Sequence, residues 1–210
     1  MFKYYKFTLA HLILFTILFA FVSFFYTQNK AILSKQEALF YYVNASGKQR
    51  VLAQRIVYLS QNISTNFILK KNNHHNLSEL RSCINGLLSI NSMLQEFILS
   101  QATKNTQSTL DDIYFGSGNL AVKIDDFITI ANKLFYVSNT QTLLEINRIL
   151  LDELESKEGL LASIELATLS QQIYGQNQTK SLEKLSYYLF CVVILFILCE
   201  CLLIFIQRKK

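Results

Sequence analysis

The chain has 210 residues, 51% of them hydrophobic and 17% charged, with a formal net charge of +5. That balance is too apolar and too sparsely charged for an ordinary soluble domain. The charge is also uneven. Lys3, Lys6, Arg208, Lys209 and Lys210 stand at the two ends, and setting these and Glu200 apart from totals of 20 basic and 15 acidic residues leaves 15 and 14 for everything between. The basic pI therefore reads as a topology signal, and nucleic acid is not an expected partner.

In chain order the first element is Phe7 to Tyr26, a 20-residue run without Asp, Glu, Lys or Arg. A second run of 20, Tyr187 to Ile206, is interrupted only by Glu200. About 20 helical residues cross the roughly 30 Å hydrocarbon layer, and for a single run in lipid only a helix satisfies its own backbone. Two transmembrane helices are expected, at 7–26 and 187–206. The basic flanks, 1–6 and 207–210, place both termini in the cytoplasm of a bacterial inner membrane, with residues 27–186 in the periplasm. A loop this long crosses whatever its own charge, so only the short flanks vote. A cleaved signal peptide is the other reading of the first run, but the run is longer than a signal core and no small-x-small site follows it. Glu200 is expected near the cytoplasmic end of its span, snorkelling or bound to a neighbouring helix, and His11 is the nearest polar residue at similar depth.

Between the spans there is no proline, and the whole chain has six glycines. Proline breaks helix interiors, so its absence permits long helices. Breaks are expected at Asn72–Asn76, with Ser78 as the following cap, at Lys104–Ser108, at Phe115–Asn119 and at Val137–Thr140. The remaining segments, Thr27–Lys70, Leu77–Lys104, Asn119–Tyr136 and Gln141–Ser186, carry apolar residues at steps of three and four, as in Leu120, Ile124, Phe127, Ala131 and Leu134. That is helix period. The expected fold is all-α: an antiparallel four-helix bundle between two transmembrane helices.

The first long helix has two faces. With Leu52 at zero and 100° per residue, Ile56, Leu59, Ile63 and Phe67 fall within about 60° of it. This is the expected core stripe. Val43, Gly47, Arg50, Gln54 and Val57 fall opposite. A helix that is semi-apolar on both sides usually has two partners. The second is expected to be the same helix of another subunit, about a two-fold axis. Gly47 would allow close approach, and two Arg50 guanidinium groups near the axis would repel unless a small anion lay between them. A solvated arginine beside an incidental glycine is the plainer reading of composition alone.

The segment Asn44-Ala-Ser-Gly-Lys-Gln-Arg-Val-Leu-Ala-Gln-Arg-Ile56 resembles the N-x-x-G-x-Q-R-M-L-S-Q-R-I/M box of the PilJ-like family. That family is the N-terminal domain of type IV pili methyl-accepting chemotaxis transducers, related to the NarX and NarQ nitrate sensors. Asn44, Gly47, Gln49, Arg50, Leu52, Gln54 and Arg55 agree with the box. The end of the second run, Cys199-Glu-Cys-Leu-Leu-Ile-Phe205, resembles the family's E-x-L-x-I-F exit. The likeness covers the whole chain in layout but only about 25 residues in detail. It implies a periplasmic four-helix bundle that senses a ligand and signals as a homodimer. In the nitrate sensors the glycine and first arginine of the box hold the anion, which carries over to Gly47 and Arg50, with Asn44, Gln49, Gln54 and Arg55 as supporting positions. The lysine those sensors carry two residues before the glycine is Ala45 here, which lowers the charge of any such site. Family members also continue into output modules, whereas four residues follow Ile206 here. The expectation is therefore an input domain working with a separate kinase, cyclase or chemotaxis output protein. The rival expectation is a structural membrane protein scaffolding an envelope assembly.

The remaining residues carry little chemistry. Neighbouring His74 and His75 rarely point the same way on a turn, so no metal is expected. Asp111-Asp112 and Asp125-Asp126 read as helix-start or surface charges. Asp152, Glu153, Glu155 and Glu158 form an acidic surface expected to face Lys48 or Arg55. Cys83 reads as a buried thiol, and the other cysteines lie in the second run. No nucleophile–base pair or phosphate loop is present in the sequence, so neither an enzyme nor a cofactor is expected.

Overall fold

The computed structural model describes residues 2–102 and 109–208, and all regular structure among them is helical. The elements are α1 (Phe2–Ile68), α2 (His74–Ala102), α3 (Thr109–Phe115), α4 (Leu120–Asn132) with a 3-10 turn at Lys133–Phe135, α5 (Thr140–Glu155) and α6 (Leu160–Arg208). The chain divides into two compact units, Leu39–Ile173 and a pair formed by Met1–Ala38 with Tyr174–Lys210.

In the Leu39–Ile173 unit, cross-helix contacts define the pairing. Tyr42 stacks on Phe97 with ring centroids 3.6 Å apart, Arg55 meets Glu79 at 2.6 Å, and Asn73 bonds the Ile63 carbonyl at 3.0 Å. Numbers rise on α1 as they fall on α2, so the two helices are antiparallel. Asn91 to Asp125 at 3.2 Å, with Arg81 over the Phe135 ring, sets α4 and its 3-10 turn antiparallel to α2. Ser64 bonds Asn147 at 2.6 Å and Ser46 bonds Gln171 at 3.1 Å, so α1 runs antiparallel to α5 and then to α6.

The core of this unit follows the apolar periodicity. Leu80, Ile84, Leu87, Leu94 and Ile98 of α2 are buried, as are Leu120, Ile124, Phe127 and Ala131 of α4, Leu143, Ile146, Leu150 and Leu154 of α5, and Leu160, Ile164 and Ala167 of α6. Burial at roughly 25 cal/mol per Å² of apolar surface is the cohesive term. Gly86 marks a close approach, because a Cβ there would stand 3.3 Å from Leu52 Cδ1.

Several sequence expectations are corrected. The turn after α1 is at 69–73, and its cap is Asn72, whose Oδ1 accepts from the His74 N–H at 2.7 Å; Ser78 lies inside α2. Lys70 takes φ 53°, the left-handed conformation that closes a helix end. The expected break at Lys104–Ser108 lies outside the described residues, and the short α3 after it was not foreseen. The segment Gln141–Ser186 was expected as one helix but is broken at 156–159. Ser156 leaves the helix with ψ 159°, and the Gly159 N–H closes the turn onto the Ser156 carbonyl at 2.8 Å. The flanking Glu-rich residues are good helix formers, so propensity hid a break that only Gly159 marks. Three carbonyl oxygens, of Glu153, Leu154 and Ser156, would lie 2.9 Å from a Cβ at Gly159.

In the other unit α1 and α6 are antiparallel partners. Gln36 bonds Thr179 at 3.0 Å, and the Phe15 and Phe196 rings meet edge-on at 5.7 Å. Large apolar side chains such as Leu12, Phe19, Phe24, Leu195, Leu198 and Leu202 point outward. Two stretches, His11–Ser34 and one ending at Ile206, are long and apolar enough to cross a membrane.

Replacing Gly159 with Ala should lower stability by about 1–3 kcal/mol, because the added carbon has no room. Chemical unfolding of the purified chain measures this; an unchanged midpoint would mean the break at 156–159 is not required.

Candidate functional site

The box residues on α1 divide into two sets. Ala45, Ser46, Gln49, Ala53 and Ile56 are buried, whereas Asn44, Gly47, Arg50, Val51, Gln54 and Arg55 are exposed. The buried stripe continues through Val57, Leu59, Ser60, Ile63 and Ser64. Its mean direction lies about 70° around the helix from Leu52 at 100° per residue. The expected core face was thus rotated. Leu52 is only half-buried and Phe67 is 36% exposed, while Val57, placed on the opposite face by the sequence, is 5% exposed. The cause is physical: Ala, Ser and Gln carry little hydropathy, yet small residues face the core wherever helices pack closely.

Gln49 belongs to the interior. Its Oε1 accepts from the Tyr114 hydroxyl at 3.4 Å, and Ser46 donates to Gln171 at 3.1 Å. Burial pushes the Tyr114 phenol well above its ordinary range, with a contact to Ser46 working weakly the other way. This layer ties α1 to α3 and α6. The amide nitrogens of Gln49 and Gln171 are buried with no partner among the described residues. Cys83 is buried nearby in the core; its thiol is pushed up, first by burial and then by Glu79.

Arg55 is held by Glu79, Nε donating at 2.8 Å and Nη2 at 2.6 Å, and covers the Tyr58 ring at 4.9 Å. Its guanidinium is raised, chiefly by the hydrogen bond to Glu79. The acidic surface of α5 is therefore not its partner, contrary to the sequence expectation. Lys48 is exposed and makes no ion pair among the described residues. His74 and His75 are exposed on the first turn of α2, and His75 lies 4.0 Å from Glu79. No group of His, Cys, Asp and Glu suited to a metal is gathered among the described residues.

Gly47 and Arg50 are on the outer side of α1. A Cβ at Gly47 would meet nothing within 4 Å. Arg50 makes no ion pair or hydrogen bond among the described residues. Sequence reasoning missed their neighbours, Val51 at 63% and Tyr58 at 50% exposure. Phe40, Asn44, Gly47, Val51, Gln54 and Tyr58 form one exposed line at alternating steps of four and three. These positions share the average 3.5-residue spacing of a coiled-coil seam, and Phe40, Val51 and Tyr58 are its large apolar members. The signal was in the sequence, masked by centring the wheel on Leu52. Arg50 flanks this line.

No protein-family model matches the chain, and neither a curated protein nor a solved structure shows significant similarity to it.

Because an added Cβ at Gly47 has open space among the described residues, Gly47→Ala should raise the stability of the single chain by about 0.5–1 kcal/mol, the helix-propensity difference. Unfolding at a protein concentration where the chain is monomeric measures it. A loss of stability there would show that Gly47 has a packing role inside the single chain.

Proposed function

We propose that the chain is a membrane-anchored sensor domain of signal-transduction type, acting as a homodimer that holds a small anion between two copies of α1. The observation that carries this reading is the exposed seam from Phe40 to Tyr58, with Gly47 inside it and, on its flank, Arg50, which has no ion pair among the described residues. Large apolar side chains at coiled-coil spacing are normally covered by a second helix. With Gly47 in the seam, two backbones come close. Two Arg50 side chains are then drawn near one another, and an anion between them removes their repulsion. Guanidinium groups suit a planar oxyanion because they donate in pairs. The resemblance of residues 44–56 to the PilJ-like box supports the same positions. Ala45 is buried and contributes no charge, which favours a weakly held anion.

In this reading α1, α2, α4 with α3, and the broken pair α5–α6 are the four limbs of an antiparallel bundle between the two membrane spans, with both termini cytoplasmic in a bacterial inner membrane. The proposed partners are the bilayer, a second copy of the chain and a signalling output protein.

The anion hypothesis is tested by thermal melting of the dimeric chain with nitrate, nitrite, sulfate and chloride. A ligand that binds only the native state stabilises it by about 2.7 kcal/mol at a hundredfold excess over Kd. Arg50→Ala should abolish the stabilisation and leave helix content unchanged. The hypothesis fails if no anion shifts the melting midpoint, or if Arg50→Ala leaves the shift intact. Topology is tested separately: reporters fused after Lys210 should read cytoplasmic and those inserted near Asn73 periplasmic, and a periplasmic signal after Lys210 would overturn the two-span arrangement.

A further inference from the structure

His11 and Glu200 face each other across the paired ends of the chain. His11 Nδ1 lies 2.7 Å from Glu200 Oε2, and the two side chains are 26% and 16% exposed. Their neighbours Leu12, Leu198 and Leu202 point outward. Both ionisable side chains are therefore turned inward, each onto the other helix. The edge-on contact of Phe15 with Phe196 lies one turn away on each helix, so two contacts report the same antiparallel register. The other oxygen, Glu200 Oε1, is buried with no partner among the described residues. The carboxylate thus depends on His11. No Lys, Arg, Asp or Glu lies on α1 between Phe7 and Tyr26, nor elsewhere on α6 between Tyr187 and Ile206. The nearest charges in sequence are Lys6 on α1 and Arg208 on α6, and the flanking thiols are Cys199 and Cys201.

We propose that His11 and Glu200 form a latch between the two apolar spans: the contact selects one axial register and so sets which residues of the two spans meet. The latch rests on the membrane reading given above. Polar side chains facing lipid are costly and find partners inside a helix pair. The remaining side chains in these spans are mostly apolar, and hydrophobicity alone favours no register in lipid, so register is chosen by side-chain packing and by this interhelical polar contact. A slip of two residues moves a helix by about 3 Å along the axis, enough to take a 2.7 Å contact out of hydrogen-bond range. A slip of one full turn, about 5.4 Å, takes Glu200 out of reach of His11 altogether.

The test uses the full chain in lipid vesicles, with Cys83, Cys191, Cys199 and Cys201 first replaced by Ser. One cysteine is then placed at Phe15 and a second, in turn, at Val192, Phe196 or position 199. Oxidative crosslinking reads which register is populated. The unmodified pair should crosslink chiefly through positions 15 and 196. His11→Ala and Glu200→Ala should each lower that preference several-fold, spreading crosslinks to 192 and 199. The exchanged pair, H11E with E200H, should restore it. An unchanged preference in both single variants overturns the latch, as does an exchanged pair that behaves like the single variants. The membrane reading fails by a different sign: a chain released from vesicles by alkaline carbonate is not spanning, whatever its crosslinks show.

Discussion

The stripe of α1 from Ala45 to Ser64 is the surface on which the helical unit is assembled. It packs small and polar side chains, Ala45, Ser46, Gln49, Ala53, Ser60 and Ser64, together with Ile56, Val57, Leu59 and Ile63. Small residues let the neighbouring helices approach, and the polar ones limit where they can stop. Ser46 reaches Gln171 of α6, Gln49 reaches Tyr114 of α3, and Ser64 reaches Asn147 of α5. A buried hydroxyl or amide left unpaired costs about 1–3 kcal/mol. A one-turn slip of α1 would break all three bonds, so the apolar contacts supply cohesion and the polar contacts fix register.

The same helix solves a different problem on each side. Its inner stripe tolerates polarity because partners are provided. Its outer stripe is exposed and carries Phe40, Val51 and Tyr58 at coiled-coil spacing. Arg55 and Arg50 show how the two sides differ. Arg55 is fixed by Glu79 and Tyr58 within the protomer. Arg50, five residues earlier, has no partner among the described residues and stays free to meet something outside the chain. The polar layers of the Leu39–Ile173 unit and the His11–Glu200 contact of the other unit follow one rule. In each, few polar pairs choose among arrangements that apolar packing alone would leave nearly equal in energy.

Much of this architecture is legible in the sequence. The absence of proline and the three-four spacing of Leu120, Ile124, Phe127, Ala131 and Leu134 give helices, and all five of these residues are buried. Glu200 and His11 were matched by depth alone, and they meet. The misreadings share a cause. Hydropathy weights large side chains and so points to Leu52 as the centre of a core face whose true centre is Ala53, Ile56 and Ser60. That rotation put Val57 outside and hid Val51 and Tyr58. The break at 156–159 was hidden because Glu153, Glu155 and Lys157 favour helix, and only the crowding around Gly159 reveals it. Gln49 read as part of a binding box; its burial against Tyr114 makes it a structural anchor. Gly47 and Arg50 lie outward, as the wheel had them.

The proposed interface is the outer stripe of α1 against the same stripe of a second copy. It is tested most directly by a single spin label placed at Val51 in the full chain in lipid, with intermolecular distances read by pulsed electron paramagnetic resonance. The account predicts a narrow, short distance on the order of two helix diameters, and a much longer one for a label at Thr129 on α4. Absence of any intermolecular distance at Val51, or a distance longer than that at Thr129, would contradict it.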